Sequence, residues 1–327
     1  MLGRPRGDVE EATPVARTFE SVAVLLPCYN ESITVQKVVT EFIAALPGAR
    51  VYVFDNNSTD GTGRLAEEAG AIVVRSPRQG KGYVVQHMFR DVEADVYLMA
   101  DGDDTYPASE AVRLLDSLLD SDADMVVGVR LEQFHSGAFR RFHQFGNRLV
   151  AFLISSLFGA RITDVLSGYR AFERDFVKSV PLVSGGFGIE TEMTMSALAK
   201  GFAIREIPIP YGSRPEGSHS KLSTYSDGAV VLRAIFTLFK DYKPFAFFGT
   251  VAVLLALLSL ASGALPVLDY LREQYVHHVP LAILAAGLGI CAALSASVGL
   301  VLSTIARYQK ETFLLMQRVL WERSRRE

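Results

Sequence analysis

The chain has 327 residues, a formal net charge of −3 and two cysteines, Cys28 and Cys291. This charge balance argues against a nucleic-acid partner, and two distant cysteines provide neither a disulfide framework nor metal-ligand spacing. Hydrophobic residues make up 49% and the mean hydropathy of +0.21 is high for a soluble protein. Residues 1–20 are polar without an apolar core, so we expect a flexible tail and no secretory signal peptide.

Short apolar runs alternate with helix-forming segments through the first 130 residues. The runs begin at Val22, Val51, Ala71, Val96 and Met125. This βα alternation predicts an α/β domain with a mostly parallel sheet, in which ligands bind beyond the carboxyl ends of the strands. A Gly-x-Gly-x-x-Gly motif does not follow the first run, which argues against a Rossmann dinucleotide site.

The acidic stretch Asp101-Gly102-Asp103-Asp104-Thr105 directly follows the fourth run. Clustered carboxylates repel one another and resist burial unless a cation neutralises them. Mg²⁺ and Mn²⁺ prefer such hard oxygen ligands, and Mg²⁺ is commonly held by one or two carboxylates plus substrate phosphates. The stretch therefore predicts a metal–diphosphate site, with a solvated Asp-Gly turn as the alternative.

The middle third is less regular. Residues 134–158 are aromatic and basic and predict an amphipathic helix that faces either lipid or the core. Residues 163–172 predict a polar-aromatic loop that leads into another element. A helix is predicted to begin near Phe187 and end near Lys200, followed by a strand over 204–209 and a loop over 211–227.

The last third contains two uncharged segments, residues 245–268 and 281–306, joined by a short polar link. Each is long enough to cross the hydrocarbon region as a helix, so we expect two transmembrane helices within residues 244–306. Buried core helices are the alternative. Residues 228–243 are expected to form an interfacial amphipathic helix, and residues 307–327 a cytoplasmic helix.

Cationic residues flank the two spans unevenly. Lys240 and Lys243 precede the first span, whereas the link contains only Arg272. The cations after the second span are Arg307, Lys310, Arg318, Arg323, Arg325 and Arg326. The positive-inside rule then predicts an integral protein of the cell membrane with both termini and the N-terminal domain in the cytoplasm.

Four motifs occur in order after successive strands. They are Pro27-x-Tyr29-Asn30-Glu31, Asp55 to Thr62, Gly80-Lys81-Gly82 and Asp101-Gly102-Asp103. Together they resemble glycosyltransferase family 2, which has the GT-A fold; this domain is expected over residues 21–227. Further along, Asp164-x-x-Ser167-Gly168-Tyr169-Arg170 and Arg214-x-x-Gly217-Ser218-x-Ser220-Lys221-Leu222, with the two spans, look like polyprenyl-phosphate glycosyltransferases such as dolichyl-phosphate mannose synthases.

The resemblance implies an inverting transfer of a sugar from a UDP- or GDP-linked donor to a polyprenyl phosphate at the cytoplasmic leaflet. Asp101 and Asp103 are the expected ligands of Mg²⁺ or Mn²⁺. The residues expected to bind the nucleotide sugar are Pro27, Tyr29, Glu31, Asp55, Asn57, Lys81, Asp101 and Gly102. Helix capping remains the alternative for Glu31 and Asp55, and a solvated charge for Lys81. Members of this family often form homo-oligomers.

The family's proposed general base corresponds to Asp164, which is expected either to act as that base or to position the acceptor or metal. A phosphate acceptor is largely dianionic at neutral pH and needs a base less than a hydroxyl does. Glu190 and Glu192 resemble a second base motif, and their i, i+2 spacing puts them on different helix faces; Glu190 is preferred. Acceptor-phosphate binding is assigned to Arg130, Arg214 and Lys221.

Two alternatives to a phosphate acceptor remain open. One is a hydroxyl acceptor, either a lipid or a lipid-linked saccharide, and the other is an inactive membrane scaffold. The sequence also departs from the family at two places. Asp104 and Thr105 stand where Leu-Gln is common, and Asn56-Asn57 replaces the usual Asp-Gly.

Overall fold

The structure is a computed structural model that describes residues 21–130, 138–183, 185, 188–212, 214, 215, 236, 237 and 239–324, with side chains omitted at 138–146, 157 and 317–324. The predicted tail, Lys221 and most of the predicted interfacial helix 228–243 lie outside the described residues.

Within the described residues, seven strands form one mixed sheet in the order β3-β2-β1-β4-β6-β5-β7. Their bounds are β1 Val22–Cys28, β2 Arg50–Asp55, β3 Ile72–Arg75, β4 Val96–Met99, β5 Met125–Arg130, β6 Arg170–Glu173 and β7 Ile204–Ile209. Strand β6 runs antiparallel to its neighbours, and the other pairs are parallel. The prediction of a mostly parallel sheet is confirmed, whereas β6 arises within the segment predicted as a loop.

Helices cover both faces of the sheet. Their bounds are α1 Val35–Ala45, α2 Thr62–Glu68, α3 Lys81–Asp91, α4 Glu110–Leu119, α5 Ala138–Phe158, α6 Arg174–Ser179 and α7 Ile189–Lys200. Side chains alternate across a strand, so Val24 and Leu26 of β1 pack with α1, α2 and α4, while Ala23 and Leu25 pack with α3, α6 and α7. Burial on both faces explains why the strands are continuous apolar runs.

One edge of the sheet collects the predicted functional residues. Cys28 of β1 lies opposite Asp55 of β2, and Leu25 of β1 lies opposite Met99 of β4. The carboxyl end of β5 lies at this edge, and β6, being antiparallel, begins there with Arg170. The segments after β1, β2, β4 and β5 and the segment before β6 therefore meet.

In the part of the chain that the structure describes, two long helices follow the domain, α8 Pro244–Glu273 and α9 Val279–Ser324. Both are long and apolar enough to cross a membrane, and only 11% of each apolar window is buried, unlike a core helix. The Ser259 hydroxyl donates to Ala285 O at 2.7 Å, and the Ser295 hydroxyl donates to Phe248 O at 2.9 Å, which pairs the helices as an antiparallel hairpin. Helix α9 continues unbroken past the predicted end of the second span.

Candidate active site

Lys81 lies between two carboxylates at the centre of the site. Its Nζ is 2.6 Å from Asp101 Oδ1 and 2.5 Å from Glu190 Oε1. Burial would lower the pKa of Lys81, but the Asp101 and Glu190 carboxylates outweigh burial and raise this pKa above its ordinary value. The ammonium is thus fixed in its charged form. These three residues, here the Lys81 cluster, join elements that are distant in sequence.

Asn56 positions the loop that leads to Lys81. Its amide donates to Ser76 O at 2.9 Å and to Arg78 O at 2.7 Å, and its Oδ1 accepts the Gly80 N–H at 2.8 Å. Gly80 has φ of 131°, a conformation that L side chains rarely adopt. An aspartate at position 56 is unable to donate to the two carbonyls. The loop therefore accounts for Asn56 in place of the family's aspartate.

Asp103 is buried with both carboxylate oxygens engaged. Oδ1 accepts the Thr105 hydroxyl at 2.6 Å, and Oδ2 lies 2.5 Å from Arg214 Nη2. Burial and the neighbouring Asp101 carboxylate raise the pKa of Asp103, although Thr105 and Arg214 act in the opposite direction. Gly102, between the two aspartates, has its carbonyl fixed by the Thr34 hydroxyl at 2.6 Å.

The second departure from the family pattern has two different explanations. Thr105 contacts Asp103 through both its hydroxyl and its N–H, so it orients that carboxylate. Asp104 turns away with φ of 61° and pairs with Lys37 of α1 at 2.7 Å. The adjacent carboxylates therefore have different surroundings, and Asp104 belongs to the surface of the domain.

The predicted residues at the ends of β1 and β2, here the wall, lie at the same edge of the sheet as the segment that contains Asp101. Asp55 Oδ1 accepts the Ser58 N–H at 3.0 Å, and Asn57, with φ of 63°, donates to Pro77 O at 3.0 Å. Glu31 is buried, and its backbone carbonyl begins α1 by accepting Thr34 and Val35 N–H groups. Pro27 lies at the end of β1, and Tyr29 is 37% exposed just beyond it.

Asp60 fulfils the capping role next to this wall. Its Oδ1 accepts the Thr62 N–H and hydroxyl at the first residue of α2, and its Oδ2 accepts the Ser32 N–H. Partial burial acts to raise the pKa of Asp60, but these hydrogen bonds lower it to about 2. Asp55 is thus not needed to begin α2.

Asp164 and Arg130 form a buried bidentate ion pair, here the Arg130 pair. Arg130 Nε lies 2.7 Å from Asp164 Oδ2, and Nη2 lies 2.8 Å from Oδ1. Asn147 of α5 donates to the same carboxylate at 3.1 Å. Burial would raise the pKa of Asp164, but the bonds from Arg130 outweigh it, and the net pKa lies below the ordinary value. Asp164 is therefore a weak base in this arrangement.

The segment from Asp164 to Arg170 is held by hydrogen bonds at almost every step. The Ser167 hydroxyl donates to Gly128 O at 2.6 Å, and the Tyr106 hydroxyl accepts the Gly168 N–H at 3.0 Å. A Cβ at position 168 would lie 2.9 Å from Asp101 Oδ2, so only glycine allows this segment to approach Asp101 so closely. The close approach places the Arg130 pair beside the Lys81 cluster.

Arg170 is fully buried and holds the same segment in place through hydrogen bonds. Its guanidinium donates to Ser167 O at 2.8 Å, to Val165 O at 2.8 Å and to the Thr194 hydroxyl of α7 at 2.9 Å. Burial lowers the pKa of Arg170, against the opposing fields of Glu190 and Asp164. Buried arginines are rare unless their donors are satisfied, and here two backbone carbonyls and the Thr194 hydroxyl accept from Arg170.

The structure brings together Lys81, Asp101, Asp103, Asp164, Glu190, Arg130 and Arg214. Glu192 instead accepts the Val183 N–H at 2.8 Å, so the two glutamates point to different partners, as their spacing predicted. Sequence reasoning missed Asn56, Thr105, Tyr106 and the role of Arg170. At the first two positions the signal was a departure from a motif. Arg170 stands in a motif that gave it no separate role, and Tyr106 had no signal.

The carboxylates fit a hard divalent cation that completes its shell with phosphate oxygens. Among the described residues, no group of three His, Cys, Asp or Glu side chains converges on one point. Asp101 and Asp103 are close enough for the field of one to raise the pKa of the other. Two carboxylates are the protein share that Mg²⁺ usually takes when a nucleotide supplies further oxygens.

Comparison with known proteins agrees with the fold and the motifs. The profile described as glycosyl transferase family 2 matches residues 23–180. Glycosyltransferase AglJ of Haloferax volcanii is 35% identical over 83% of this chain and 89% of its own length. The dolichyl-phosphate hexose transferase of the same organism is 29% identical over 67% of this chain and 93% of its own length.

A solved structure shares the architecture. Glucosyl-3-phosphoglycerate synthase of Mycobacterium tuberculosis, solved with Mn²⁺, UDP and glucosyl-3-phosphoglycerate, matches with a TM-score of 0.54 and 21% identity. The match covers 68% of this chain and 79% of that protein, which confirms the GT-A fold. The chain therefore belongs to glycosyltransferase family 2, in the group that contains the polyprenyl-phosphate sugar transferases, and it is a hexose-transferring enzyme.

Proposed function

We propose that this enzyme transfers a hexose, with inversion, from a UDP- or GDP-linked donor to a polyprenyl phosphate at the cytoplasmic face of a membrane. The observation that carries the proposal is that both candidate bases are ion-paired. Asp164 is held by Arg130, and Glu190 is held by Lys81. Such carboxylates are poorly suited to remove a proton from a hydroxyl, whereas a phosphate dianion is already a nucleophile.

The donor half of the site consists of Asp101, Asp103 and Lys81. Asp101 and Asp103 would hold Mg²⁺ or Mn²⁺, which offsets the negative charge that develops on the departing nucleoside diphosphate. Lys81 stands against Asp101 and adds a fixed positive charge next to the diphosphate. The wall that includes Asp55 and Asn57 is the surface that would bind the nucleoside.

The acceptor half consists of Arg130, Arg214 and Asp164. Arginine binds phosphate through two parallel N–H donors, and the Arg130 guanidinium has donors beyond the two that contact Asp164. Asp164 orients that guanidinium. An acceptor phosphate oxygen then attacks the anomeric carbon, the bond from that carbon to the nucleoside diphosphate breaks, and a sugar–phosphate linkage forms with no proton to remove.

The proposed acceptor also accounts for the hairpin of α8 and α9. Polyprenyl phosphates reside in the membrane, and the relative named as a dolichyl-phosphate hexose transferase carries such a lipid in its name. The cations that flank the two spans support a cytoplasmic site, where nucleotide sugars are available.

The proposal is tested with the full chain reconstituted in vesicles that contain a polyprenyl phosphate. A panel of radiolabelled UDP- and GDP-hexoses is supplied with Mg²⁺ or Mn²⁺, and organic extracts are assayed for acid-labile labelled lipid. We expect a product with one nucleotide class and its loss on chelation. Absence of labelled lipid with every donor would refute the proposal.

A further inference from the structure

Helix α7 connects the reaction centre to the base of the apolar hairpin. At its first turn Glu190 contacts Lys81, and one turn later the Thr194 hydroxyl accepts from Arg170. Further along, the Ser196 hydroxyl lies 3.2 Å from the Tyr242 hydroxyl, two residues before α8 begins. The Tyr242 ring packs edge-on against Phe158 of α5 at 6.1 Å.

The far end of α7 contacts the second hairpin helix. Lys200 Nζ lies 5.3 Å from the centre of the Phe313 ring of α9, and Phe202, just past α7, meets the same ring edge-on at 6.3 Å. Phe202 in turn packs against Phe176, which stacks on Phe172 in the core of the domain. A continuous row of aromatic rings therefore runs from α9 into the catalytic domain.

Phe313 lies outside the part of α9 that pairs with α8. The Ser295–Phe248 hydrogen bond fixes the antiparallel register, and Phe248 is the fifth residue of α8. Phe313 follows Ser295 by enough residues to lie more than about 20 Å beyond the start of α8 at 1.5 Å per residue. The charged residues Arg307, Lys310 and Glu311 precede it. The part of α9 around Phe313 thus lies beside the catalytic domain.

We propose that α7 is a spacer that holds the reaction centre at a fixed height above the membrane by docking on Tyr242 and Phe313. The inference rests on the proposed lipid acceptor. The membrane-embedded chain of a polyprenyl phosphate sets the depth at which its phosphate lies. The enzyme therefore uses an acceptor whose phosphate lies at the height of the Arg130 pair. Tyr242 and Phe313 are positioning residues, remote from the reacting atoms.

The test uses the full chain in vesicles and two acceptors, a long-chain polyprenyl phosphate and a water-soluble short isoprenyl phosphate. Phe313→Ala is compared with Leu315→Ala, which removes an exposed side chain from the same helix. Because a misplacement of about 1 Å can cost 10²-fold in rate, we expect Phe313→Ala to lower kcat at least about tenfold with the long-chain lipid and less than about twofold with the soluble acceptor. The KM for the donor is expected to stay unchanged.

A second readout is independent of any acceptor. Amide hydrogen exchange across Ile189–Lys200 is expected to accelerate in Phe313→Ala and not in Leu315→Ala. Tyr242→Phe and Ser196→Ala provide milder variants if Phe313→Ala fails to fold. Each removes one member of a single contact, so the double variant should be no worse than either alone.

The possible results separate this inference from the proposed function. Equal loss with both acceptors, or identical behaviour of Phe313→Ala and Leu315→Ala, would overturn the spacer role. If the wild type transfers sugar to neither acceptor, the proposed function fails. The exchange comparison between the same two variants then still decides whether α9 holds α7 in place.

Discussion

In the donor half of the site, Lys81 is shared between Asp101 and Glu190, while in the acceptor half Asp164 receives two hydrogen bonds from the single guanidinium of Arg130. Around Lys81 carboxylates outnumber cations, an arrangement that attracts a metal. In the acceptor half, the Arg130 guanidinium has N–H donors beyond the two that contact Asp164, an arrangement that suits an anion. Asp101 is thus suited to hold a metal, whereas Asp164 orients an arginine that is suited to bind a phosphate.

The largest effect is expected from removing a carboxylate of the donor half. Asp101→Asn or Asp103→Asn removes a proposed metal ligand worth several kcal/mol in the transition state, so kcat should fall by about 10²- to 10³-fold. Asp104→Asn is the matched control, because Asp104 pairs with the exposed Lys37. Calorimetry with Mn²⁺ and the nucleoside diphosphate should show weaker metal binding in the first two variants only. Metal affinity equal to that of the wild type would contradict the assignment.

The acceptor half is tested next with Arg130→Ala. Loss of charged hydrogen bonds worth about 1.5–3 kcal/mol each should reduce transfer by roughly 10- to 100-fold, while donor binding is retained. Arg130→Lys should recover only part of the activity, because lysine lacks the bidentate geometry. Arg90→Ala, at an exposed position of α3, serves as the control. A loss of donor affinity in Arg130→Ala would remove the distinction between the two halves.

Asn56→Asp tests how the donor half is built. The change replaces a buried donor by an acceptor facing Ser76 O and Arg78 O, and it should cost about 1–3 kcal/mol of stability. Asn57→Asp loses a comparable bond at an exposed position and should cost less. Thermal unfolding in detergent compares the two variants, and equal shifts in Tm would show that Asn56 is not needed for the loop.

Glu190→Gln distinguishes the phosphate acceptor from a hydroxyl acceptor. If Glu190 serves to hold Lys81, the substitution Glu190→Gln should reduce kcat by less than about tenfold. A general base for a hydroxyl acceptor would instead contribute roughly 10²- to 10⁴-fold. The pH–rate profile of the variant should keep the wild-type shape, and loss of a limb at acidic pH would favour the hydroxyl acceptor.

The smallest effect concerns the pH dependence of stability. The pKa of Asp164 is lower in the folded protein, so its contribution is complete above the ordinary value of 3.8 and is lost as pH falls through the folded-state pKa. Asp164→Asn should therefore destabilise the protein at pH 7, and the difference from wild type should narrow below about pH 4. Asp120→Asn, a change at an exposed position, is measured beside it as the surface control. A difference that does not vary with pH would contradict the Arg130 pair.

The donor half was largely predictable from sequence, because its residues follow strands whose apolar character is unambiguous. A parallel sheet brings strand ends together whatever the loops contain, so Glu31, Asp55 and Asp101 were expected at one edge of the sheet. The antiparallel strand β6 was not predicted. Its residues, Arg170 to Glu173, contain charged groups, and the burial of Arg170 depends on carbonyls that only the folded chain provides.

The acceptor half was harder to predict from the sequence, again because its contacts form only in the folded chain. Asp164 was proposed from a motif and Arg130 as a cation for the acceptor phosphate, yet their pairing joins β5 to a segment 34 residues away and has no local signature. The contacts of α7 with Tyr242 and Phe313 were also missed, because aromatic residues near a membrane span are equally consistent with a lipid interface. The role of Lys221 lies outside the described residues and stays a prediction.

The central claim, that the acceptor is a phosphate and needs no base, is tested most directly by changing only the acceptor head group. The full chain in vesicles is given its preferred nucleotide sugar and either a polyprenyl phosphate or the polyprenol with the same hydrocarbon chain. We predict acid-labile lipid-linked sugar with the phosphate and none with the alcohol. Transfer to the polyprenol at a comparable rate would contradict the claim and assign the Lys81 cluster or Asp164 a role in proton removal.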